Sequence, residues 1–110
     1  MIRFTTPTIS LVVEGVDISD KDIRVTLEQG NVELTKKGTD LIVSTTTHEQ
    51  VTDTNIQFAL TQEESASFRL NAQCSVQVNW IDSSGVRAAT EIKSVPVMRN
   101  LLDKVIEYGD

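Results

Sequence analysis

The sequence predicts an all-β protein: an immunoglobulin-like antiparallel β-sandwich of about seven strands, with one short helical turn and a C-terminal helix. Three observations predict this fold. Residues 72–80 alternate without a break between apolar or small and uncharged polar side chains, the two-residue period of a strand with one buried face. Shorter segments alternate in the same way at hairpin spacing. Clusters of Gly, Asp, Asn and Ser stand at several of the connections between them, where turns need such residues.

The first 60 residues contain five predicted strands, three of which, at 8–14, 23–29 and 55–60, show alternating apolar side chains. The second and third strands are joined by Gly30 and Asn31, a two-residue loop typical of tight hairpins. Residues 45–54 are polar and rich in threonine, so we expect an exposed loop or an edge segment there. The five strands cover residues 8–14, 23–29, 32–35, 41–44 and 55–60.

A helical turn and a long hairpin follow these strands. Thr61 and Glu64 have the spacing of a capping box, in which each side chain bonds a free backbone amide of the first helical turn. We expect a single helical turn here that places Phe68 in one end of the core. The central strand at 72–80 is then joined by a polar turn to its antiparallel partner at 86–93.

The hydrophobic period changes from two to about four near the C-terminus. Apolar side chains at 101, 102, 105 and 106 form a narrow helical stripe, which Asn100 could cap and Gly109 could end. The sequence therefore predicts two parts, a β-sandwich domain at 1–99 and a C-terminal helical extension at 100–110.

Composition limits the classes of partner. The 110 residues suffice for one domain with its own core, and the net charge of −6 disfavours nucleic-acid binding, which needs a basic face. No stretch approaches the roughly 18 apolar residues of a membrane span. The N-terminal residues lack the apolar run of a signal peptide, so we expect folding in a reducing cytoplasm.

The reactive side chains do not suggest an enzyme. Cys74 is the sole cysteine and falls on the apolar face of the central strand, while the one histidine, His48, lies in a polar segment. The acidic stretch at 14–22 resembles a calcium loop in composition, but it lacks the glycine at position six of that motif and the closing bidentate glutamate. We therefore predict no catalytic residues, no metal site, no cofactor and no disulfide.

The aromatic side chains disfavour a carbohydrate platform. Sugar binding normally uses exposed aromatic faces, and only five aromatic residues are present. Phe4 and Tyr108 lie near the termini, whereas the other three fall on predicted buried positions. The alternation places these residues in the core: Val25, Leu27, Phe58, Cys74, Val76, Val78 and Trp80, with Phe68 added by the helical turn.

Four short segments together resemble a known group of proteins. They are residues 25–30 (VTLEQG), 60–64 (LTQEE), 76–80 (VQVNW), and 90–92 (TEI) ahead of 99–102 (RNLL). In this order they resemble small proteins encoded among virion structural genes in prophages of Gram-positive bacteria. They are more distantly similar to the N-terminal sandwich domain of phage baseplate upper proteins. The resemblance spans roughly residues 8–106.

The resemblance implies a non-enzymatic structural protein of a phage or prophage, in the tail or baseplate, that acts through protein–protein contacts. Such a protein is made in the bacterial cytoplasm and becomes part of the virion, with other virion proteins or further copies of itself as partners. The alternative is a small β-sandwich binding module for a carbohydrate or protein ligand.

The C-terminal stripe is the candidate docking element, because a two-sheet sandwich closes its core without it. Folding back onto its own domain remains the alternative for this segment. The candidate docking residues are Leu101, Leu102, Val105, Ile106 and Tyr108.

Overall fold

The computed structural model describes residues 1–70 and 72–109 and confirms an all-β protein built from two antiparallel sheets. Most of its strands follow the predicted segments, but the strand predicted at 86–93 is interrupted at residues 90–92. In the described residues the elements are β1 (Thr8–Val13), β2 (Asp22–Gln29), β3 (Val32–Lys37), a 3-10 turn (Gly38–Asp40), β4 (Ile42–His48), β5 (Val51–Ala59), α1 (Gln62–Ala66), β6 (Gln73–Ile81), β7 (Arg87–Ala89) and β8 (Lys93–Pro96).

The two sheets divide the strands in an order that the alternation leaves open. One sheet has the order β1-β5-β4, and the other has the order β3-β2-β6. β7 and β8 both pair with β6, β8 along residues 73–76 and β7 along residues 79–81, so together they form one interrupted edge strand. Strands β1 and β2 lie in different sheets, whereas the first two strands of immunoglobulin domains share one.

Two tight hairpin turns set the register of neighbouring strands. Gln29 lies opposite Val32, so Gly30 and Asn31 form the predicted two-residue loop, and Gly30 has the positive φ of 60° that suits glycine. The polar stretch at 45–54 also forms a hairpin, between β4 and β5, because its threonines are β-branched and favour strands. This stretch contributes the second half of β4, an edge strand of the first sheet, and the start of β5.

The core lies between the inner faces of the two sheets. The predicted core residues other than Trp80 are at most 3% exposed, which confirms the alternation of β2, β5 and β6. Trp80 is only half-buried and packs against the edge of the core. The buried apolar residues are Val13, Ile18, Ile23, Val25, Leu27, Ile56, Phe58, Leu60, Phe68, Cys74, Val76, Val78 and Val97.

Helix α1 closes one end of the sandwich as predicted. The Thr61 side chain accepts a hydrogen bond from the Glu64 amide at 3.1 Å, and the Glu64 carboxylate accepts one from the Thr61 amide at 2.8 Å. This capping box starts the helix, and Phe68 beyond its end is fully buried. Within the described ranges, no helix has the length and hydropathy to cross a membrane.

The predicted C-terminal helix is wrong. Residues 100–109 contain bends and one turn but no helix. A helix of about ten residues is marginal in water without a surface to cover its apolar stripe. Here the backbone finds other partners, because the Gln62 side chain bonds both the N–H and the C=O of Ile106.

Candidate functional site

The candidate docking segment at 100–109 leaves the sandwich beside the N-terminus. Ile2 forms a parallel bridge with Met98, and the Arg3 amide donates to the Met98 carbonyl at 3.1 Å. Arg3 then reaches two neighbours, since its guanidinium donates to the Ala66 carbonyl at 2.7 Å and lies 3.5 Å from the Asp103 carboxylate. The segment therefore starts at the end of the domain that α1 covers.

Side-chain amides fix the path of the segment. The Asn100 amide group donates to the Arg3 carbonyl at 3.0 Å, and its oxygen accepts from the Leu102 amide at 3.1 Å, which turns the chain. Six residues after Asn100, the Gln62 side chain donates to the Ile106 carbonyl at 2.7 Å and accepts from its amide at 2.8 Å. The backbone is thus attached to the domain through polar groups.

The apolar side chains of the segment face solvent. We call Leu101, Leu102, Val105, Ile106 and Tyr108 the apolar strip. Leu101 is 88% exposed, Tyr108 is fully exposed and the other three are between 42% and 51% exposed. Ile2 and Met98, which are also exposed, lie next to the start of the segment. The chemistry that this arrangement offers is burial of apolar surface against another molecule.

The helix beneath the strip is fixed by an ion pair. The Lys36 ammonium lies 2.9 Å from the Glu64 carboxylate, which also caps α1. Burial raises the pKa of Glu64, but the hydrogen bond from the Thr61 amide and the charge of Lys36 outweigh it and hold this pKa below its ordinary value. Gln62, which carries the Ile106 contacts, is therefore on a helix whose start is firmly attached to β3.

A groove that was not predicted from the sequence lies on the open side of the sandwich, between β1 and the interrupted edge strand. This groove has a volume of about 370 Å³ and is lined mainly by apolar side chains of β1 and β6, including Leu11, Val78 and Trp80. Glu14, Glu91 and Lys93 also line it. Trp80 lies opposite Ala88. The pairing of a large side chain with a small one was the sequence feature that could have indicated the groove.

The interruption between β7 and β8 shapes one wall of the groove. The Thr90 amide donates to the Val78 carbonyl at 2.9 Å, and the Thr90 hydroxyl accepts from the Val78 amide at 3.1 Å. The Gln77 side chain donates to the Thr90 carbonyl at 2.9 Å. Side chains therefore replace part of the regular ladder at this point, in the manner of a bulge.

The acidic stretch at 14–22 is held by hydrogen bonds within the stretch and by hydrogen bonds to β5. The Asp17 carboxylate accepts from the Ser19 hydroxyl at 2.6 Å and from its amide at 3.0 Å, which lowers the pKa of Asp17. The Gly15 amide donates to the Asp53 carboxylate at 2.8 Å. Among residues 1–70 and 72–109, no three or more His, Cys, Asp or Glu side chains are grouped to hold a metal ion.

Cys74 and His48 are not brought together. Cys74 is buried in β6, where burial raises the pKa of its thiol, whereas His48 is exposed at the end of β4 in the other sheet. A cysteine nucleophile needs an adjacent base and a lowered pKa, and this thiol has neither of these features in the described part of the chain.

Comparison with known proteins adds no relative. No protein-family model matches the chain, and no curated protein matches it.

Proposed function

We propose that this chain is a non-enzymatic structural component of a phage or prophage particle, in the tail or baseplate, that acts through protein–protein contacts. The apolar strip is the observation that supports an assembly role. The four segments that resemble prophage virion proteins support the proposal that the chain is part of a phage particle. Its partners are other virion proteins or further copies of the chain, and it reaches the virion after synthesis in the bacterial cytoplasm.

The energetics favour docking through the strip. Full burial of a large apolar side chain contributes about 1.5–3 kcal/mol relative to its exposed state. A partner that covers the strip gains this contribution from several side chains at once. The backbone of the segment is already attached through Asn100 and Gln62, which lowers the entropy cost of ordering it on binding.

The experiment is to detect the chain in particles. In a bacterium that encodes it, prophage excision is induced and the released particles are purified on a density gradient. Mass spectrometry of the particle band should find the chain in a fixed ratio to tail proteins. A chain that is abundant in the lysate and missing from intact particles would overturn the virion role.

Substitutions in the strip test the docking element within the same experiment. Leu101→Ser with Ile106→Ser should strongly reduce incorporation into particles, because both side chains contribute apolar contact area and are exposed in the free chain. The melting temperature should stay close to that of the parent. The matched control is Val86→Ser with Ile92→Ser, which removes two other exposed apolar side chains elsewhere. Normal incorporation of the strip variant would exclude this surface.

A small binding module is the second candidate, and the groove beside Trp80 favours it. Its volume of about 370 Å³ falls within the range of pockets that hold small ligands. Emission from Trp80, the sole tryptophan, reports occupancy of the groove directly. A saturable change on titration with an oligosaccharide series or with short apolar peptides would support this function, and unchanged emission throughout would exclude it for those ligands.

A further inference from the structure

The sheet edges differ in how they are protected against pairing with another chain. Edge strands are normally blunted by charge, proline, bulges or short length. β3 carries Glu33, Lys36 and Lys37, and the other edge of its sheet is interrupted between β7 and β8 and contains Pro96. β1 has no charge or proline within Thr8–Val13, but it follows Pro7 directly and borders the groove, which charged side chains line.

β4 has none of these protective features. Its seven residues, Ile42–His48, include no Asp, Glu, Lys, Arg or Pro, and all except Val43 are exposed. Its register with β5 continues without a break along its whole length. Within residues 1–70 and 72–109, β5 is the only strand that pairs with β4. Every second residue of β4 therefore presents its backbone N–H and C=O outward.

We propose that β4 is a homodimer interface, at which it pairs antiparallel with β4 of a second copy of this chain. A two-fold axis at Thr45 places each Thr45 opposite its equivalent, and it places Ser44 opposite Thr46 of the second copy. The two three-stranded sheets then join into one six-stranded sheet in the order β1-β5-β4-β4-β5-β1. Such an interface uses the same surface on both copies and closes as a dimer.

The absence of charge along β4 allows a second copy to be the occupant. Each copy carries a net charge of −6, so most surfaces of two copies repel each other. β4 itself carries no acidic residue, and the nearest ones, Asp40 and Glu49, fall opposite Gln50 and Leu41 of the second copy in this register. No like charges face each other across the paired strands, where such pairs are destabilising.

The same register covers exposed apolar surface. Ile42 and Val51 are 68% and 51% exposed, and Val51 lies opposite His48 in the hairpin. In the dimer, Ile42 of one copy lies directly opposite His48 of the other, and Val51 of that other copy is next in the same row. The two β-branched side chains therefore flank one imidazole on the outer face of the joined sheet. None of these residues belongs to the apolar strip.

The test is the molar mass of the full chain by analytical ultracentrifugation from micromolar to millimolar concentration. The parent should dimerise. Ser44→Lys with Thr46→Lys places lysines directly opposite each other twice in the proposed pairing. We therefore expect the dissociation constant of the dimer to rise by about tenfold or more. The matched control is Ser10→Lys with Val12→Lys, which adds the same charge at exposed positions of β1, the opposite edge of the same sheet. The control should dimerise like the parent.

Four results would overturn the proposal. The first is a parent that is monomeric at millimolar concentration, and the second is a β4 variant that dimerises as well as the parent. The third is loss of the dimer on deletion of residues 100–110, which would assign self-association to the apolar strip. Hydrogen exchange of the backbone amides tests the interface in the parent without any substitution. Alternate amides of β4 should be protected in the dimer and should lose this protection when dilution dissociates it. Exchange in β4 that is independent of concentration would also exclude this interface.

Discussion

Thr54 is the residue on which the acidic loop depends. It is fully buried in β5, where its hydroxyl donates to the Val16 carbonyl at 2.8 Å and accepts from the Ile18 amide at 3.0 Å. These two bonds allow the Ile18 side chain to enter the core, where it is also fully buried. One hydroxyl thus satisfies two backbone groups of a loop that pairs with no strand at this point.

Replacing Thr54 by valine should destabilise the domain by about 1–3 kcal/mol, because the shape is retained while a buried amide loses its partner. The measurement is the free energy of unfolding in urea. Thr8→Val is the control, since Thr8 is exposed in β1, and it should change stability little. Equal stability of the two variants would contradict the role of the hydroxyl.

Glu64 couples stability to pH. Its pKa in the folded chain lies below the ordinary value of 4.5, so the folded state binds fewer protons than the unfolded state in this range. The stabilisation by the Lys36 pair is therefore complete above the ordinary pKa, and it is lost as the pH falls through the folded pKa.

Glu64→Gln should cost stability at neutral pH, and this cost should shrink as the pH falls below 4.5. The amide oxygen of glutamine can still accept from the Thr61 amide, so only the ionic part is removed. Urea unfolding of parent and variant across pH measures this. Glu63→Gln, at the exposed neighbouring position, is the matched control, and it should change stability little at neutral pH. A cost for Glu64→Gln that is the same at every pH would contradict the account.

Among the elements, the β4–β5 hairpin carries backbone strain at its turn. Glu49 and Gln50 both have positive φ, 50° and 68°, a conformation that is costly for residues with a Cβ. Two-residue hairpin turns of this geometry prefer Asn followed by Gly. The exposed turn therefore uses residues poorly suited to its shape.

Glu49→Asn with Gln50→Gly should stabilise the domain by about 1 kcal/mol, because the turn geometry no longer strains the backbone. Thermal or urea unfolding measures the gain. Gln57→Gly is the control, since Gln57 has an exposed side chain within β5, and it should destabilise the domain by about 0.5–1 kcal/mol. A loss of stability in the turn variant would mean that the turn is not strained.

At the scale of the whole molecule, the alternation predicted most of the strands and placed six of its seven named core residues correctly, because burial on one face imposes a period of two. Trp80 follows the same period but lies where the sandwich opens into the groove. The pattern therefore predicted the face of the strand on which Trp80 lies, but not its partial exposure. The division of strands between sheets depends on pairings far apart in the chain, which a local pattern does not contain.

The candidate site was only partly predictable. Spacing identified the five apolar side chains at the C-terminus as surplus to the sandwich, and they are exposed. The same spacing predicted a helix, which fails because the Gln62 side chain bonds the Ile106 backbone instead. A contact between residues 44 positions apart leaves no trace in the local period.

The central claim is that the apolar strip belongs to an interface and not to the core of the domain. Its most direct test is the urea unfolding of a chain that lacks residues 100–110, beside the full chain at equal concentration. We predict a difference of less than about 1 kcal/mol with a nearly unchanged m-value, because the five side chains are already exposed. A loss of several kcal/mol or failure to fold would place the segment in the core of its own domain and contradict the claim.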